Sequence, residues 1–306
     1  AVTAKMVKEL RDMTGAGMMD CKKALVEADG DMDRAVEVLR EKGLSKAAKK
    51  AGRIAAMGLV RTAFSEDGKT AAIVEVNSET DFVAKNADFV AFVNACAQTV
   101  MDNDPADVEA LLALTAAGTE MTVAELLQEK VLTIGENIQI RRFEKFDGAT
   151  VGYVHAGGKI GVLVNFDTDV DTTSADFVAC GKDVAMQIAA LNAPYLNSSD
   201  VPSEIIEKEK EILVSQMKQD PKMANKPEQV LSKIVEGKIG KYYKENCLVD
   251  QEFVKDGSLT VAKYIESVAK NIGGSIEITK FVRFEKGEGI EKRQDDFAAE
   301  VASMVK

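Results

Sequence analysis

Histidine, tryptophan and cysteine are scarce in this chain. Its 306 residues include one histidine, His155, and no tryptophan. The four cysteines are far apart and form no C-x-x-C pair: Cys21, Cys96, Cys180 and Cys247. We therefore expect neither a zinc site nor a disulfide framework, and isolated thiols are typical of a reducing cytoplasm. The sequence also lacks G-x-x-x-x-G-K-[ST], G-x-S-x-G and a G-x-G-x-x-G after a predicted strand, which favours a binding protein over an enzyme.

Long apolar runs and an excess of positive charge are also missing. No stretch approaches the roughly 18–20 consecutive apolar residues that a membrane span requires, and the opening AVTAKMVKELRDM has no signal-peptide core. With 39 basic and 50 acidic residues, the formal net charge is −11, whereas proteins that grip a phosphate backbone are usually basic. We expect a cytoplasmic protein without a membrane partner or a direct nucleic-acid partner.

The charge is unevenly distributed along the chain. Residues 1–61 hold 13 basic and 9 acidic residues, a net of +4, and the remainder has a net of −15. Much of the local excess lies in Lys46, Lys49, Lys50 and Arg53. Two interpretations stay open: a solvated face, or a patch that meets an acidic partner. An additional RNA-binding role would appear as an RNA affinity that falls steeply with salt.

The same N-terminal region predicts three short helices. The first follows Thr3 and ends at Gly15-Ala16-Gly17, the second ends at Asp29-Gly30, and the third begins after Asp31 and is predicted to end at Gly43. Helical spacing places these residues inward: Met6, Val7, Leu10, Met13, Ala24, Leu25, Ala28, Met32, Ala35, Val36 and Leu39. So small a bundle is typical of a recognition module.

Two adjacent methionines, Met18 and Met19, open the second of these helices. Methionines usually fill cores. Because two neighbours at a helix start cannot both point inward, we expect one of them to be an exposed, adaptable contact.

An internal duplication dominates the rest of the sequence. One pair of matching segments begins at Gly68 and Gly158, with the sequences GKTAAIVEVNSETDFVAKNADFV and GKIGVLVNFDTDVDTTSADFV. The two segments are 90 positions apart at their start and 88 positions apart at ADFV. A second pair begins at Thr122 and Thr260, 138 positions apart, with the sequences TVAELLQEKVLTIGENIQIRRFEKF and TVAKYIESVAKNIGGSIEITKFVRF. Each copy is predicted to run strand, helix, helix, strand, which indicates an α+β fold with two related core subdomains.

The change of offset from 88 to 138 indicates about 50 additional residues in the second copy, near 195–250. Pro202-Ser203 opens one helical run there and Pro227 opens a second. Inward stripes are predicted at Ile205, Ile206, Ile212, Leu213 and Met217, and at Leu231, Val235, Ile239 and Tyr242, with Val230 and Ile234 beside the second. We interpret the insertion as an antiparallel helical hairpin.

These features divide the chain into five predicted segments. They are an N-terminal helical domain at 1–54, a first core subdomain at 55–150, a second at 151–201 and 246–286, the hairpin at 202–245, and a C-terminal module at 287–306.

The two copies differ after their first strands, where the first reads NSETDFVAKNADF and the second reads DTDVDTTSADF. Because both copies keep what the fold needs, the unshared turn of Thr80, Asp81, Phe82 and Val83 is a candidate for function. Phe82 is either a core residue or an exposed wedge that anchors in a partner pocket. A neighbouring carboxylate can rearrange charges or metal-bound water in that partner.

The sequence resembles bacterial elongation factor Ts. The similarity is carried by KELRDMTGAGMMDCKKAL at 8–25, EVNSETDFVAKNADF at 75–89, IGENIQIRR at 134–142 and RFEKGEGIEKRQDDFAAEVASM at 283–304, and covers nearly the whole chain. It implies guanine-nucleotide exchange on the GTPase elongation factor Tu (EF-Tu) through promoted release of GDP and Mg²⁺. It also implies an N-terminal module like a ubiquitin-associated domain, a coiled-coil hairpin and a C-terminal helical module.

The resemblance also implies contacts with EF-Tu. Asp81 and Phe82, with Thr80 and Val83 in the same motif, would form the intruding turn. Further contacts would come from the N-terminal residues Arg11, Met18 and Met19, the core residues Ile134, Gly135 and His155, the hairpin residues Ile234 and Val235, and the C-terminal Phe297. The protein would make or break no covalent bond and bind no cofactor or metal of its own. One-to-one and two-by-two assemblies with EF-Tu both stay open.

The residues also suggest two other functions. One is an adaptor in which only the N-terminal bundle acts, which leaves the duplicated core unexplained. The other is an enzyme that uses His155 with Asp167 or Asp169, but the sequence places no nucleophile beside that histidine.

Overall fold

The N-terminal region forms three helices, as the sequence predicts. The computed structural model describes residues 2–14, 16–50 and 52–292, with the backbone alone for 44–49. The helices are α1 (Ala4–Thr14), α2 (Met18–Glu27) and α3 (Met32–Lys50). The hydroxyl of Thr3 accepts a hydrogen bond from the Met6 amide at 3.3 Å, and the Asp31 carboxylate accepts one from the Arg34 amide at 2.8 Å. These side chains satisfy amides that a helix start leaves unpaired.

Two expectations for this region are wrong. Gly43 does not end α3, which continues to Lys50. A Cβ at Gly43 would lie 3.0 Å from the Gln128 carbonyl oxygen and 3.3 Å from the Leu132 Cβ, so this glycine permits close helix packing instead. Met13 does not face inward; it is largely exposed, because Val7 and Leu10 already fill the small core.

The first core copy is a three-stranded sheet covered by helices. Its elements in chain order are β1 (Met57–Phe64), β2 (Thr70–Ser78), α4 (Ala87–Asn103), α5 (Val108–Ala113), α6 (Val123–Ile134) and β3 (Gln139–Asp147). The strand order is β1-β2-β3. β1 and β2 are antiparallel, with Met57 opposite Ser78 and Phe64 opposite Ala71. Helix α4 packs on both strands through Phe89, Phe92 and Val93, all buried.

The second copy repeats this plan with an insertion. Its elements in chain order are β4 (Ala149–His155), β5 (Ile160–Thr168), α7 (Ala175–Leu191), α8 (Ser203–Gln219), α9 (Glu228–Asn246), β6 (Glu252–Phe253), β7 (Asp256–Thr260), α10 (Val261–Ile272) and β8 (Ile276–Glu285). One sheet has the order β4-β5-β8, and β6 pairs with β7 in another. The protein is therefore a mixed α and β structure with small sheets.

The duplication is visible in matching helix ends. Thr122 caps α6 by accepting from the Glu125 amide at 3.1 Å, and Thr260 caps α10 by accepting from the Lys263 amide at 3.2 Å. Gly135 and Gly273 end these helices with φ of 86° and 87°. The predicted strand, helix, helix, strand order is present with additions: the short helix α5 lies between the two predicted helices of the first copy, and β6 and β7 precede α10 in the second. The prediction is therefore incomplete for each copy. Another strand, β1 or β4, precedes each; their sequences, MGLVRTAF and ATVGYVH, share too little for self-similarity to reveal them.

Helices α8 and α9 pack against each other as the predicted helical pair. Their buried contacts include Ile206, Met217, Val235 and Ile239. Ile205 and Ile212, which the spacing placed in the inner stripe, are exposed, as is Val230. The inner stripe is narrower than predicted because two packed helices hide only facing side chains from water.

The ends of the insertion lie together at its base. Tyr195 donates its amide to the Asn246 carbonyl at 3.2 Å, and its carbonyl accepts from the Leu248 amide at 2.9 Å.

The chain divides into two compact units. One holds the described parts of Ala1–Phe146, Val154–Gly161 and Phe284–Lys306, and the other holds Asp147–Tyr153 and Val162–Arg283. The five segments predicted from sequence are a finer division and stay a prediction. Among the helices in the described ranges, none is long and apolar enough to cross a membrane.

A buried carboxylate organises the first unit. The Glu75 side chain on β2 is 0% exposed, and it accepts from Arg142 Nε at 2.7 Å and from Arg141 Nη1 at 3.3 Å. It also accepts from the Gly287 amide at 2.7 Å. The Arg142 guanidinium lies over the Phe284 ring, 4.3 Å from its centroid. One charge thus joins β2, β3 and the turn after β8.

Glu75→Gln should destabilise the first unit. Arg141 and Arg142 would lose the charge of Glu75, but Arg142 also pairs with Glu288 at 3.3 Å. The two arginine side chains are 27% and 30% exposed, so water would also solvate their charge in part. We expect a loss of about 2 kcal/mol, below the cost of breaking a fully buried pair, measured by urea unfolding. Glu266→Gln, which breaks an exposed pair with Lys270, is the control and should not move the midpoint. Equal midpoints for both variants would contradict a structural role for Glu75.

Replacing residues 203–245 with a short Gly-Ser linker should leave the rest of the chain folded. The two helices bury their apolar side chains mainly on each other, and the segment before α8 pairs with the segment after α9 through Tyr195, Asn246 and Leu248. Circular dichroism and thermal unfolding would check this. Loss of a cooperative transition would show that the duplicated core depends on the hairpin.

Candidate functional site

The unshared turn of the first copy presents its aromatic side chain to solvent. Phe82 is 87% exposed, whereas the next residue, Val83, is 8% exposed and packs in the core cluster. The interpretation of Phe82 as a core residue is therefore wrong, because Val83 takes the inward position at the start of a short 3-10 turn, Val83–Lys85. We call residues 79–83 the Phe82 loop.

Two glutamates hold the Phe82 loop in place. One Glu136 carboxylate oxygen accepts from the backbone amides of Glu79 and Thr80 at 3.0 and 3.1 Å, and the other accepts from the Thr80 hydroxyl at 2.7 Å. In return, the Glu79 carboxylate accepts from the Asn137 amide at 2.7 Å. Hydrogen bonds to a charged carboxylate are stronger than neutral ones. Thr80, predicted as a contact residue, thus directs its hydroxyl to this clamp.

The carboxylate of Asp81 has a partner within the first unit. Lys286 Nζ lies 2.5 Å from Asp81 Oδ1, and the lysine is more buried than the aspartate, at 18% against 61% side-chain exposure. Lys286 is placed by its own amide, which donates to the Lys159 carbonyl at 2.9 Å. This ion pair orients the Asp81 carboxylate beside the exposed ring.

Phe82 stands between two open clefts. The first, about 640 Å³, is lined by Met13 and Thr14 of α1, by Glu129, Lys130, Thr133 and Ile134 of α6, and by Phe82 and Val83. The second, about 770 Å³, is lined by Arg53, Ile54, Met57, Lys292 and the Phe82 loop from Glu79 to Phe82. The ring therefore forms a ridge with space on both sides, a shape suited to insertion between two elements of another protein.

The predicted N-terminal contacts form an exposed surface. Arg11 is exposed on α1, and Met18 and Met19 are 57% and 65% exposed at the start of α2. Both methionines face solvent, where one was expected. Met13 is exposed as well and lines the first cleft. Sequence analysis missed Met13 as a surface residue because its helical spacing matched that of the buried residues.

The predicted core contacts lie where helix α6 and strand β4 end. Ile134 is partly buried and lines the first cleft. Gly135 follows it in the left-handed conformation, and its carbonyl accepts from Lys50 Nζ. His155 is exposed at the end of β4, and the turn after it lies beside β1, where the Val60 amide donates to the Gly158 carbonyl at 2.8 Å. The clefts thus bring Asp81, Phe82, Val83 and Ile134 to one region, and His155 lines neither of them.

The remaining predicted contacts are placed differently. Ile234 and Val235 belong to α9 in the second unit; Ile234 is partly buried, and Val235 is buried inside the helical pair. Apolar residues of this pair that reach solvent are Ile205, Ile212, Val214 and Val230. Phe297 lies outside the described residues.

The chemistry available on this surface is that of contact and charge. All four cysteines are free and buried, and burial raises the pKa of the Cys96 thiol to about 12 and that of Cys180 to about 11. Such thiols are unreactive at neutral pH. In the described ranges, no three His, Cys, Asp or Glu side chains are grouped so that they could hold a metal ion.

Comparisons with known proteins agree on one family. A family model described as Elongation factor TS matches residues 79–288. Elongation factor Ts from Syntrophotalea carbinolica is 52% identical over 308 residues, covering 100% of this chain and 99% of the relative. The proteins of the same name from Clostridium perfringens and Clostridium kluyveri are 53% and 51% identical, each with 99% of both chains covered.

Phe82→Ala should leave the free energy of unfolding nearly unchanged. The ring is almost wholly in water, and surface substitutions without special contacts usually shift stability by less than about 0.5 kcal/mol. Val83→Ala removes buried methyl groups one residue away and should cost about 1 kcal/mol or more. Urea unfolding compares the two. A larger loss for Phe82→Ala would mean that the ring packs on the protein in solution.

Proposed function

The chain belongs to the elongation factor Ts family, a family of translation elongation factors, and we propose that it is the guanine-nucleotide exchange factor for EF-Tu. It would bind EF-Tu carrying GDP and promote release of GDP and Mg²⁺ during polypeptide elongation. The observation that carries this proposal is the exposed Phe82 on a ridge between two clefts, with the Asp81 carboxylate beside it.

The exposed ring supports an insertion mechanism. An aromatic side chain held in water by a restrained loop gains free energy when a partner pocket buries it, and such anchors dominate many interfaces. The clefts on either side of Phe82 leave room for the partner elements that the ring would separate. Val83, buried beneath the loop, would support the anchor rather than touch the partner.

Asp81 would act on the charge around the partner's magnesium ion. A carboxylate brought near that ion would compete for its water ligands or repel the phosphates of GDP. In the free protein Asp81 pairs with Lys286, so its carboxylate is already oriented next to the ring. Loss of Mg²⁺ removes the cation that neutralises the phosphates of GDP, and the nucleotide then dissociates faster.

The thermodynamic requirement is differential binding. An exchange factor that binds nucleotide-free EF-Tu more tightly than EF-Tu with GDP weakens GDP binding by the same factor. The additional contacts would come from Arg11, Met18 and Met19, from Ile134, Gly135 and His155, and from Ile234 and Phe297, while Val235, buried in the helical pair, would support its neighbour Ile234. They would offset the strain of inserting Phe82. The protein would need no covalent chemistry, cofactor or metal of its own.

The finer architecture is part of the same proposal. The three N-terminal helices would act as a docking module like a ubiquitin-associated domain, the pair of α8 and α9 as a coiled-coil arm, and the C-terminal segment as a further contact. The exposed methionines suit the first of these roles, because their flexible side chains adapt to a partner surface. Whether the complex is one-to-one or two-by-two stays open to measurement of its mass.

Phe82→Ala should slow the release of fluorescent GDP from EF-Tu at saturating concentrations of this protein. A buried aromatic anchor contributes about 2 kcal/mol or more, so the loss should be about tenfold or greater. Phe64→Ala is a matched control, because Phe64 is also partly exposed and lies at the opposite end of the β1-β2 pair from Ser78. With Phe64→Ala, GDP should leave EF-Tu at the same rate as with the unaltered protein.

The proposal would fail if Phe82→Ala stimulated release as well as the unaltered protein. Equal losses for the two phenylalanine variants would also contradict a specific role for the Phe82 loop.

A further inference from the structure

The two core copies share one of the contacts that hold the turn after their first matched strand. In the first copy, the Glu79 carboxylate accepts from the Asn137 amide at 2.7 Å. At the offsets of 90 and 138, the equivalent residues are Asp169 and Ser275, and the Asp169 carboxylate accepts from the Ser275 amide, also at 2.7 Å. Because both copies keep this bond, we attribute it to the needs of the fold.

A second contact is present in the first copy alone. There, the Glu136 carboxylate accepts from the amides of Glu79 and Thr80 and from the Thr80 hydroxyl. The equivalents of Thr80 and Glu136 in the second copy are Val170 and Gly274. The second copy therefore lacks both the hydroxyl that donates this hydrogen bond and the carboxylate that accepts it.

The second copy has no room for the missing carboxylate. A Cβ built on Gly274 would lie 2.4 Å from Val170 Cγ1 and 2.5 Å from Asp169 Oδ1. The turn therefore closes directly on Gly274, whereas in the first copy Glu136 stands in the equivalent place and grips the turn. The fold is built without this carboxylate in one copy, so its presence in the other calls for a different explanation.

We propose that Glu136 is a positioning residue that holds the Phe82 loop in the conformation required for GDP release from EF-Tu. This inference rests on the proposed function. The Phe82 ring is largely in water and contributes little packing to fix its own loop. Glu136 restrains the two residues directly before Asp81, so the loop is ordered before it meets the partner. An ordered loop avoids the entropy cost of ordering on insertion.

The test measures release of fluorescent GDP from EF-Tu over a range of concentrations of the full-length protein. Glu136→Ala should lower the saturating release rate about tenfold, equivalent to about 1.4 kcal/mol. The half-saturating concentration should change little, because the other proposed contacts are intact. A merely structural defect reduces the fraction of active protein, which raises the apparent half-saturating concentration but leaves the saturating rate unchanged.

Conservative rescue separates hydrogen bonding from charge. In Glu136→Gln the amide oxygen can accept from both backbone amides, and the amide nitrogen can donate to the Thr80 hydroxyl oxygen. This variant should keep a rate within about threefold of the unaltered protein, since the number of hydrogen bonds is preserved. If Glu136→Ala does not fold, Glu136→Asp replaces it: the charge stays but the carboxylate is withdrawn by one methylene, and the rate should still fall.

The second copy offers a matched control. The Asp171 carboxylate accepts from the Thr173 amide at 2.9 Å and from the Thr173 hydroxyl at 2.7 Å, the same kinds of bond that Glu136 makes with Thr80. Asp171→Ala should therefore remove an equivalent restraint from the corresponding turn and leave GDP release unchanged.

A double variant completes the test. If Glu136 acts through the ring, Glu136→Ala should lower the rate by less than about twofold once Phe82 is already alanine. An unchanged saturating rate in Glu136→Ala, a full additional loss in the double variant, or failure of the glutamine rescue would each overturn the inference. A normal rate for Phe82→Ala alone would instead overturn the proposed function, so the two failures are distinguishable.

Discussion

The buried carboxylate of Glu75 is the contact on which the candidate site depends. It draws Arg141, Arg142 and the Gly287 amide around one charge in the middle of the first unit. Burying a carboxylate is costly unless it is paired and fully hydrogen-bonded, so these groups must be in place together. The turn that they fix also carries Lys286, whose ammonium group meets Asp81. A chain of charged contacts therefore runs from the core of the sheet to the exposed loop.

The Phe82 loop is restrained from two directions. Lys286 reaches it from the turn after β8, and Glu136 reaches it from the turn after α6. The apolar side chain of Val83 also anchors the loop by packing in the hydrophobic core. An exposed aromatic residue is useful as an anchor only if its backbone is ordered beforehand, because an ordering cost on binding subtracts from the affinity. The polar residues around Phe82 supply that order without covering the ring.

The duplication acts as an internal control on what the fold requires. Two contacts recur in both copies and belong to the common architecture. One is the threonine cap, at Thr122 and Thr260. The other is the hydrogen bond that a carboxylate accepts from a backbone amide, at Glu79 and Asp169. The first copy alone has the exposed ring and the Glu136 clamp. The proposed nucleotide exchange would require differential binding and no reactive group on this chain.

The repeat can be read from the self-similarity of the sequence, and the helical insertion and the N-terminal helices can be read from periodicity, proline and capping residues, which act locally. Comparison of the two copies also singles out Phe82, whose counterpart in the second copy is Thr172, whereas the role of Asp81 is implied by the family resemblance. The three-dimensional contacts were needed to show that Phe82 is exposed and Val83 buried, that Gly43 lies within a helix, and that Glu136 and Lys286 hold the loop. The contacts of Gly43, Glu136 and Lys286 join residues more than 50 positions apart in the chain, and local patterns carry no record of which distant groups will meet.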